Sequence, residues 1–248
     1  MSEDRTHFGY RDVAPAEKTK LVREVFASVA PKYDLMNDLM SFGVHRLWKR
    51  DFVVTSGVRA GHHVLDLAGG TGDIALLLAR EVGEQGRVVL SDINGAMLAR
   101  GRDRTIDEGS GARIDCVQID ASAIPFPDSS FDLVTIAFGL RNVTDKARAL
   151  REMRRVLKLG GRALVLEFSQ PTGGALRALY ELYSFEVLPR LGRAVANDAE
   201  SYRYLAESIR RHPPQEALAT MMREAGLERV SFRNLSAGIV AIHSGYRV

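Results

Sequence analysis

One stretch, about a quarter of the way along the chain, most restricts the possible fold. The apolar run Val64–Leu67 predicts a buried strand, and the chain then enters a glycine turn at Gly69–Gly72. Ile74–Arg80 follows with helix-forming residues. A strand, a glycine turn and a helix bring backbone N–H groups close to a nucleotide-like ligand, and a Cβ in the turn would block that approach. The sequence therefore predicts an α/β fold with a nucleotide-binding loop.

Acidic residues end the next two predicted strands. Asp92 closes Val88–Asp92, where it is placed to accept hydrogen bonds from ribose hydroxyls. Asp120 closes Ile114–Asp120, within reach of an adenine amino group. The segment Gly70–Ala75 also fits the G-x-G-x-x-A form of a dinucleotide fingerprint. Two classes of nucleotide ligand therefore remain open at this point.

Two more carboxylates flank the glycine turn. Asp66 lies on the strand before it, and Asp73 follows it directly. Carboxylates here would repel a pyrophosphate but attract a sulfonium and an α-amino group, which favours S-adenosylmethionine over NAD. The spacing of Asp66, Asp92 and Asp120 resembles the pattern of class I methyltransferases. A nicotinamide-binding reductase is the alternative, and titration with NADH would test it.

Composition narrows the class of protein further. The chain has 248 residues, 46% of them hydrophobic, which suits one α/β domain with an insertion. Its 34 Lys and Arg against 31 Asp and Glu are too evenly balanced for a dedicated nucleic-acid binder. Cys116 is the single cysteine, so no disulfide forms within the chain, and the scattered histidines predict no metal site. No signal-peptide core and no run of ~20 apolar residues is visible, so the chain is predicted to be cytoplasmic.

The remaining elements follow from periodicity and turn signals. Residues 1–16 are predicted to form an irregular arm. A pair of N-terminal helices is predicted to cover the ligand cleft, the first from near Lys18 to Val29 and the second within Ala30–Arg50. His45 is predicted to pack or pair locally. Further along, the predicted elements are a strand at Phe131–Gly139, a helix at Lys146–Leu157 ended by Gly160–Gly161, a strand at Arg162–Ser169, and hairpin strands at Arg229–Leu235 and Ile239–Tyr246.

A long helical insertion is predicted from Gly174 to His212. It is rich in Leu, Tyr and Phe, and Arg177, Arg190 and Arg193 flank these apolar residues. Packing against the core explains part of this pattern. An apolar wall with a basic rim also suits a lipid-like substrate taken from a membrane surface.

Four stretches together resemble the ubiquinone/menaquinone biosynthesis C-methyltransferase family, and the resemblance extends from about Thr6 to the C-terminus. They are Val29–Ser41, Phe138–Val143, Arg155–Gly161 and Asn197–Ile209. Two departures are small: the family often has Pro at Leu159 and Ser at Ala137. If that Ser contacts the cofactor, Ala137 offers only its backbone.

The resemblance implies methyl transfer from S-adenosylmethionine to a ring carbon of a prenylated hydroquinone. Demethylmenaquinol would become menaquinol, and 2-methoxy-6-polyprenyl-1,4-benzoquinol would gain its ring methyl group. Arg141 would favour the phenolate, Asn142 would hold a water, and Tyr33 would complete the site. The alternative for Arg141 is a salt bridge with Asp145 or Glu167. The predicted cofactor contacts are Asp66, Gly70, Thr71, Gly72, Asp92, Asp120, Ala121 and Ala137.

The expected architecture is a Rossmann-like class I methyltransferase. It comprises a mostly parallel seven-stranded sheet with a C-terminal antiparallel hairpin, an N-terminal helical cover and a helical insertion after the fifth strand. In one domain, 1–248, the predicted segments are an arm and cover (1–55), a cofactor-binding core (60–170), the insertion (173–212), and a last helix with the hairpin (213–248). The expected partners are the prenylated hydroquinone, the inner membrane surface and other quinone-biosynthesis enzymes. Two other functions stay open: methylation of another apolar acceptor, such as a phenol oxygen or a sterol, and binding of S-adenosylmethionine without turnover.

Overall fold

A computed structural model of the 248-residue chain describes residues 5–29, 37–38, 41, 43–173 and 199–248. Within these ranges, strands and helices alternate along most of the chain. The strands are β1 (Thr6–Phe8), β2 (Arg11–Val13), β3 (His63–Leu67), β4 (Arg87–Asp92), β5 (Ile114–Gln118), β6 (Phe131–Ala137), β7 (Leu157–Phe168), β8 (Glu228–Leu235) and β9 (Val240–Tyr246). The helices are α1 (Pro15–Val29), α2 (His45–Ser56), α3 (Asp73–Val82), α4 (Gly95–Asp107), α5 (Lys146–Val156), α6 (Ala199–Arg211) and α7 (Gln215–Glu224).

Seven of the strands form one sheet in the order β5-β4-β3-β6-β7-β9-β8. Strands β3 to β7 are parallel, and β9 pairs antiparallel with both β7 and β8. This sheet confirms the predicted Rossmann-like architecture and its terminal hairpin. The chain leaves β3 toward β4 and β5, and then returns to place β6 on the other side of β3. Such a switch point opens a crevice at the carboxyl ends of the central strands.

Apolar side chains cover both faces of the sheet. On one face, Leu78 of α3 packs with Val88 and Leu164. On the other face, Met153 of α5 packs with Val134 and Val165. The two central strands are thus buried from both sides, which explains why their sequences are continuous apolar runs and do not alternate. Among the helices that the structure describes, none is long and apolar enough to cross a bilayer.

Two local predictions were wrong. Within the predicted irregular arm, the described residues 5–16 are regular, because β1 and β2 pair as an antiparallel hairpin and Pro15 begins α1. Gly160 and Gly161 do not end α5, which stops at Val156 and runs directly into β7. Gly160 has a φ of 77° and lies where the register of β7 against β6 shifts. A glycine in the left-handed region suits such a bulge as well as it suits a helix end.

Candidate active site

A cleft of about 800 Å³, partly open to solvent, lies at the carboxyl edge of the sheet. Its floor and walls come from the loops that follow β3, β4, β5 and β6. Helix α1 closes one side, so the first of the two predicted cover helices faces the cleft, whereas no residue of α2, which the structure describes in full, lines it. Helix α1 contributes Thr19, Val22, Arg23 and Phe26.

The glycine turn brings backbone close to this cleft. Gly70 lines it with a φ of 57°, and its amide donates to Oδ2 of Asp92 at 3.0 Å. A Cβ on Gly69 would lie 2.5 Å from Cδ1 of Leu90 and 2.6 Å from Oδ2 of Asp66, so a side chain at that position would have to displace both of these buried side chains. Thr71 and Gly72 belong to the same turn but are not part of the lining of the cleft.

Asp92 lines the cleft and is held by two backbone amides. Its Oδ1 accepts from the amide of Asn94 at 2.8 Å, and its Oδ2 accepts from Gly70. Burial raises the pKa of Asp92 to about 6, although these amide hydrogen bonds oppose the shift. The carboxylate is therefore ionised at neutral pH and keeps lone pairs for a ligand hydroxyl.

Asp120 and Ala121 line the neighbouring part of the cleft, after β5. Oδ1 of Asp120 accepts from both the amide and the hydroxyl of Ser122, at 2.8 Å and 2.7 Å. Met97 and Ile119 add apolar surface beside them. This part of the cleft combines an apolar wall with one oriented carboxylate.

The two acids that flank the glycine turn do not line the cleft. Asp66 is fully buried, and its Oδ1 accepts from the Thr135 hydroxyl at 2.7 Å. Asp73 pairs with Lys49 and Arg104 in a separate surface groove. Burial raises the pKa of Asp73, but these two cations outweigh it and lower the value to about 2. The interpretation of Asp73 as a charge facing the ligand was wrong, because its own ion pairs already neutralise it.

Asp66 supports a prediction on stability. Burial raises the pKa of its carboxyl to about 7, while the hydrogen bond from Thr135 opposes this shift. A raised acid pKa contributes stability at low pH that is lost as the pH rises through the folded-state value. We expect Asp66→Asn, which cannot ionise, to stabilise the protein relative to the parent by roughly 2–3 kcal/mol more at about pH 8 than at about pH 5, because the parent loses stability across the interval between the unfolded-state and folded-state pKa values. Urea unfolding at both pH values measures this difference, and an equal effect at both would contradict it.

The carboxyl ends of β3 and β6 meet in a strained contact. Ala68 and Phe138 have φ values of 50° and 55°, in the left-handed region that non-glycine residues rarely adopt. A Cβ on Gly139 would lie 2.5 Å from the Cβ of Ala68. Ala68, Phe138 and Gly139 all line the cleft, whereas Ala137 does not. Strain of this kind persists where the surrounding structure enforces it, often at a functional site.

Arg141 and Asn142 follow β6 in a 3₁₀ turn, but their side chains line different cavities. Asn142 lines the large cleft. Arg141 is buried and pairs with Oε2 of Glu167 at 3.1 Å, so one of the two predicted salt bridges is present. Asp145, the other predicted partner, caps α5 by accepting from the amide of Arg148 at 2.8 Å.

The guanidinium of Arg141 lines a smaller pocket that shares Phe138 with the large cleft. It also donates to the carbonyl oxygen of Phe138 and lies 5.5 Å from the centroid of the Phe168 ring. His45 lines this smaller pocket and bonds to Asp38 at 2.9 Å, which confirms its predicted local pairing. Tyr33, Arg177, Arg190 and Arg193 lie outside the described residues.

Several residues at the site were missed by sequence reasoning. The clearest is Tyr204 of α6, whose hydroxyl donates to Oδ1 of Asn142 at 3.0 Å. Thr19, Arg23 and Met97 also line the cleft without having been predicted to do so. These residues lie on amphipathic helices, and the spacing of their apolar residues predicts only that one face of each helix is buried. It does not show what that face packs against, so it could not place these residues at the cleft.

The chain matches known methyltransferases in sequence and in fold. A sequence model of the ubiE/COQ5 methyltransferase family matches residues 14–247. Curated relatives named ubiquinone/menaquinone biosynthesis C-methyltransferase occur in Xanthomonas oryzae and Xylella fastidiosa. The first is 64% identical over 243 residues, covering 98% of this chain and 96% of its own. The second is 64% identical over 242 residues, with the same shares of both chains.

Solved structures show the same fold at low sequence identity. A SAM-dependent methyltransferase from Thermotoga maritima superposes with a TM-score of 0.64 at 20% identity, covering 91% of this chain and 99% of its own. Phosphoethanolamine N-methyltransferase 2 from Haemonchus contortus, solved with S-adenosyl-L-methionine, has a TM-score of 0.61 at 16% identity. The match covers 81% of this chain and 52% of that protein's chain. With the glycine turn, Asp92 and the cleft in place, and with a family match over nearly the whole length, the chain belongs to the ubiE/COQ5 methyltransferase family.

Proposed function

We propose that this enzyme transfers the methyl group of S-adenosylmethionine to a ring carbon of a prenylated hydroquinone in menaquinone or ubiquinone biosynthesis. The substrates are demethylmenaquinol, 2-methoxy-6-polyprenyl-1,4-benzoquinol or both. The observation that carries the proposal is the 64% identity, over 98% of the chain, to relatives named for C-methylation in these pathways. The cleft at the switch point of the sheet supports it independently.

The residues present fit S-adenosylmethionine. Asp92 would bind the ribose hydroxyls, since it is ionised at neutral pH and already oriented by two amides. Asp120 would accept from the adenine amino group, with Ala121 beside it. Gly70 would present its backbone, and the steric fit at Gly69 keeps side chains out of the turn. When bound, S-adenosylmethionine supplies an activated methyl group on a sulfonium.

Arg141 and Asn142 would act on the acceptor ring. A hydroquinone becomes more nucleophilic when a hydroxyl loses its proton, and a free phenol titrates near pH ~10. A buried guanidinium favours the phenolate and does not itself act as a base at neutral pH. Glu167 compensates part of the charge of Arg141, so the pair can be buried without binding a ligand. Tyr33, carried over from the resemblance, would complete the site.

The reaction itself tests this proposal. Purified protein is incubated with S-adenosylmethionine and a short-prenyl demethylmenaquinol, either reduced or oxidised. We expect a mass gain of one methyl group with the reduced ring only, because the oxidised ring is not nucleophilic. Binding of S-adenosylmethionine without any product would favour a binding module and overturn the proposed reaction. Reduction of the acceptor by NADH would favour the nicotinamide alternative.

We further propose that the enzyme is cytoplasmic and meets its prenylated substrate at the anionic inner face of the membrane, where other quinone-biosynthesis enzymes would also act. The outer face of α2 supports this contact. Leu47 and Val54 are 62% and 80% exposed, and Arg50 lies between them on the same side of the helix. Arg46 adds a second exposed cation, which also pairs with Asp38 at 2.8 Å. Apolar and basic side chains on one helical face suit an anionic lipid surface.

We expect the double variant Leu47→Gln, Val54→Gln to lose several-fold in binding to anionic phospholipid vesicles, because both side chains that would enter the interface become polar. Sedimentation with the vesicles measures the bound fraction. The control is Ile106→Gln on α4, which changes an apolar residue of similar exposure, 61%, on another helix. Equal losses in the two proteins would contradict the assignment of this face.

A further inference from the structure

Tyr204 connects the cleft to the N-terminal hairpin. It lies on α6 and is 4% exposed. Its hydroxyl donates to Oδ1 of Asn142 at 3.0 Å, and its ring stacks on Phe8 of β1 with the centroids 4.1 Å apart and the planes at 14°. One buried side chain therefore contacts both a residue that lines the cleft and a strand of the hairpin.

The environment of Tyr204 keeps its hydroxyl protonated. Burial raises the pKa of this phenol well above its usual range; the nearby Arg141 opposes the shift and Glu167 adds to it. The hydroxyl is therefore a hydrogen-bond donor at every pH at which the enzyme would work. Because it donates to Oδ1 of Asn142, the oxygen of that amide already accepts one hydrogen bond and faces Tyr204.

The orientation of the Asn142 amide follows from this bond. An asparagine side chain has one accepting oxygen and one NH₂ group with two donors. Turning the amide over would place its NH₂ against the hydroxyl and remove the acceptor of a buried proton, which is costly. With Oδ1 held by Tyr204, Nδ2 is the group left for a ligand, and Asn142 lines the cleft.

We propose that Tyr204 is a positioning residue, which fixes Asn142 so that its Nδ2 donates a hydrogen bond to an acceptor oxygen of the substrate ring. The inference rests on the proposed function, since a hydroquinone that loses a hydroxyl proton carries such an oxygen. A neutral amide donor stabilises the developing negative charge without needing to change its protonation state. It would act together with the cation of Arg141, which is adjacent in the chain and linked to Phe138 at the edge of the cleft.

The closing experiment is a double-mutant cycle on Tyr204→Phe and Asn142→Ala. Tyr204→Phe keeps the ring on Phe8 and removes only the hydroxyl. We expect kcat for the hydroquinone to fall about tenfold, the factor that corresponds to one hydrogen bond, with the Kd for S-adenosylmethionine unchanged. In the Asn142→Ala background, the same replacement should have no further effect on kcat, because the residue through which Tyr204 acts is already missing.

A matched control separates positioning from support of the fold. Glu207 lies three residues further along α6 and accepts from the amide of Tyr10, so Glu207→Ala loosens the same hairpin without contacting Asn142. Its kcat should equal that of the parent, and thermal unfolding of all the variants shows how much stability each one loses. A parental kcat for Tyr204→Phe, an equal loss in both backgrounds, or an equal loss in Glu207→Ala would overturn the inference. If the parent itself turned over no hydroquinone, the proposed function would fail, and the inference with it.

Discussion

Glu167→Ala is expected to lower the free energy of unfolding by about 3–5 kcal/mol, because it leaves the Arg141 guanidinium buried without its counter-charge. Glu167 is 1% exposed and Arg141 is 6% exposed, so water cannot replace the lost carboxylate. The carboxylate also accepts from the backbone amides of Arg141, at 3.1 Å, and of Phe168, at 3.1 Å. The replacement should also abolish most methyl transfer, since these bonds hold the turn that carries Arg141.

Urea unfolding followed by tryptophan fluorescence measures this effect. Trp48 is the single tryptophan, and it packs against Phe168 with the ring centroids 6.2 Å apart, close to the change. The control is Glu216→Ala, which removes an exposed ion pair with Arg223 at 2.9 Å. Exposed pairs contribute at most about 1 kcal/mol. If both replacements had similarly small effects, the Arg141–Glu167 pair would not hold the site together.

Asp92→Ala is expected to weaken the binding of S-adenosylmethionine by about 100-fold or more, since it removes a charged acceptor from the cleft. It also leaves the amides of Gly70 and Asn94 without their shared acceptor, which loosens the glycine turn. Asp92→Asn keeps one acceptor oxygen, and its affinity for S-adenosylmethionine should fall by only about tenfold. Calorimetric titration with S-adenosylmethionine gives both values.

The pH dependence of binding provides an independent check on Asp92. Its pKa in the free protein is raised to about 6 by burial, so lowering the pH through this value protonates the carboxyl and removes an acceptor. Affinity for S-adenosylmethionine should therefore fall below about pH 6 in the parent and depend less on pH in Asp92→Asn. The control is Asp115→Asn, which changes an exposed acid of β5 that is not part of the lining of the cleft. Parental affinity in Asp92→Ala would show that the ligand binds elsewhere.

The sequence predicted those parts of the site whose positions are set by residues close to them in the chain or by the general geometry of a parallel sheet. The strand, the glycine turn and the following helix are local features, and they placed Gly70 at the cleft. Asp92 and Asp120 were found because parallel strands bring their carboxyl ends to one edge of a sheet. Both acids line the cleft in the structure.

Side chains whose positions depend on distant residues could not be predicted in this way. Asp73 is paired with Lys49 and Arg104, which lie 24 and 31 residues away in the chain. The strands β1 and β2 have three residues each and no apolar alternation, so their pattern alone did not indicate a hairpin. The hairpin contacts α6, where Tyr204 and Glu207 lie nearly two hundred positions further along the chain. A short two-stranded hairpin is only marginally stable alone, so contacts with distant parts of the chain, and not local propensity, determine whether it forms.

The site of methylation tests the central claim most directly. The enzyme is given S-adenosylmethionine with an isotope-labelled methyl group and reduced, short-prenyl demethylmenaquinol, and the product is examined by NMR. The account predicts that the labelled methyl carbon is bonded to a ring carbon. A label bonded to a hydroxyl oxygen would contradict it, because the enzyme would then be an O-methyltransferase with the same fold and the same cofactor cleft.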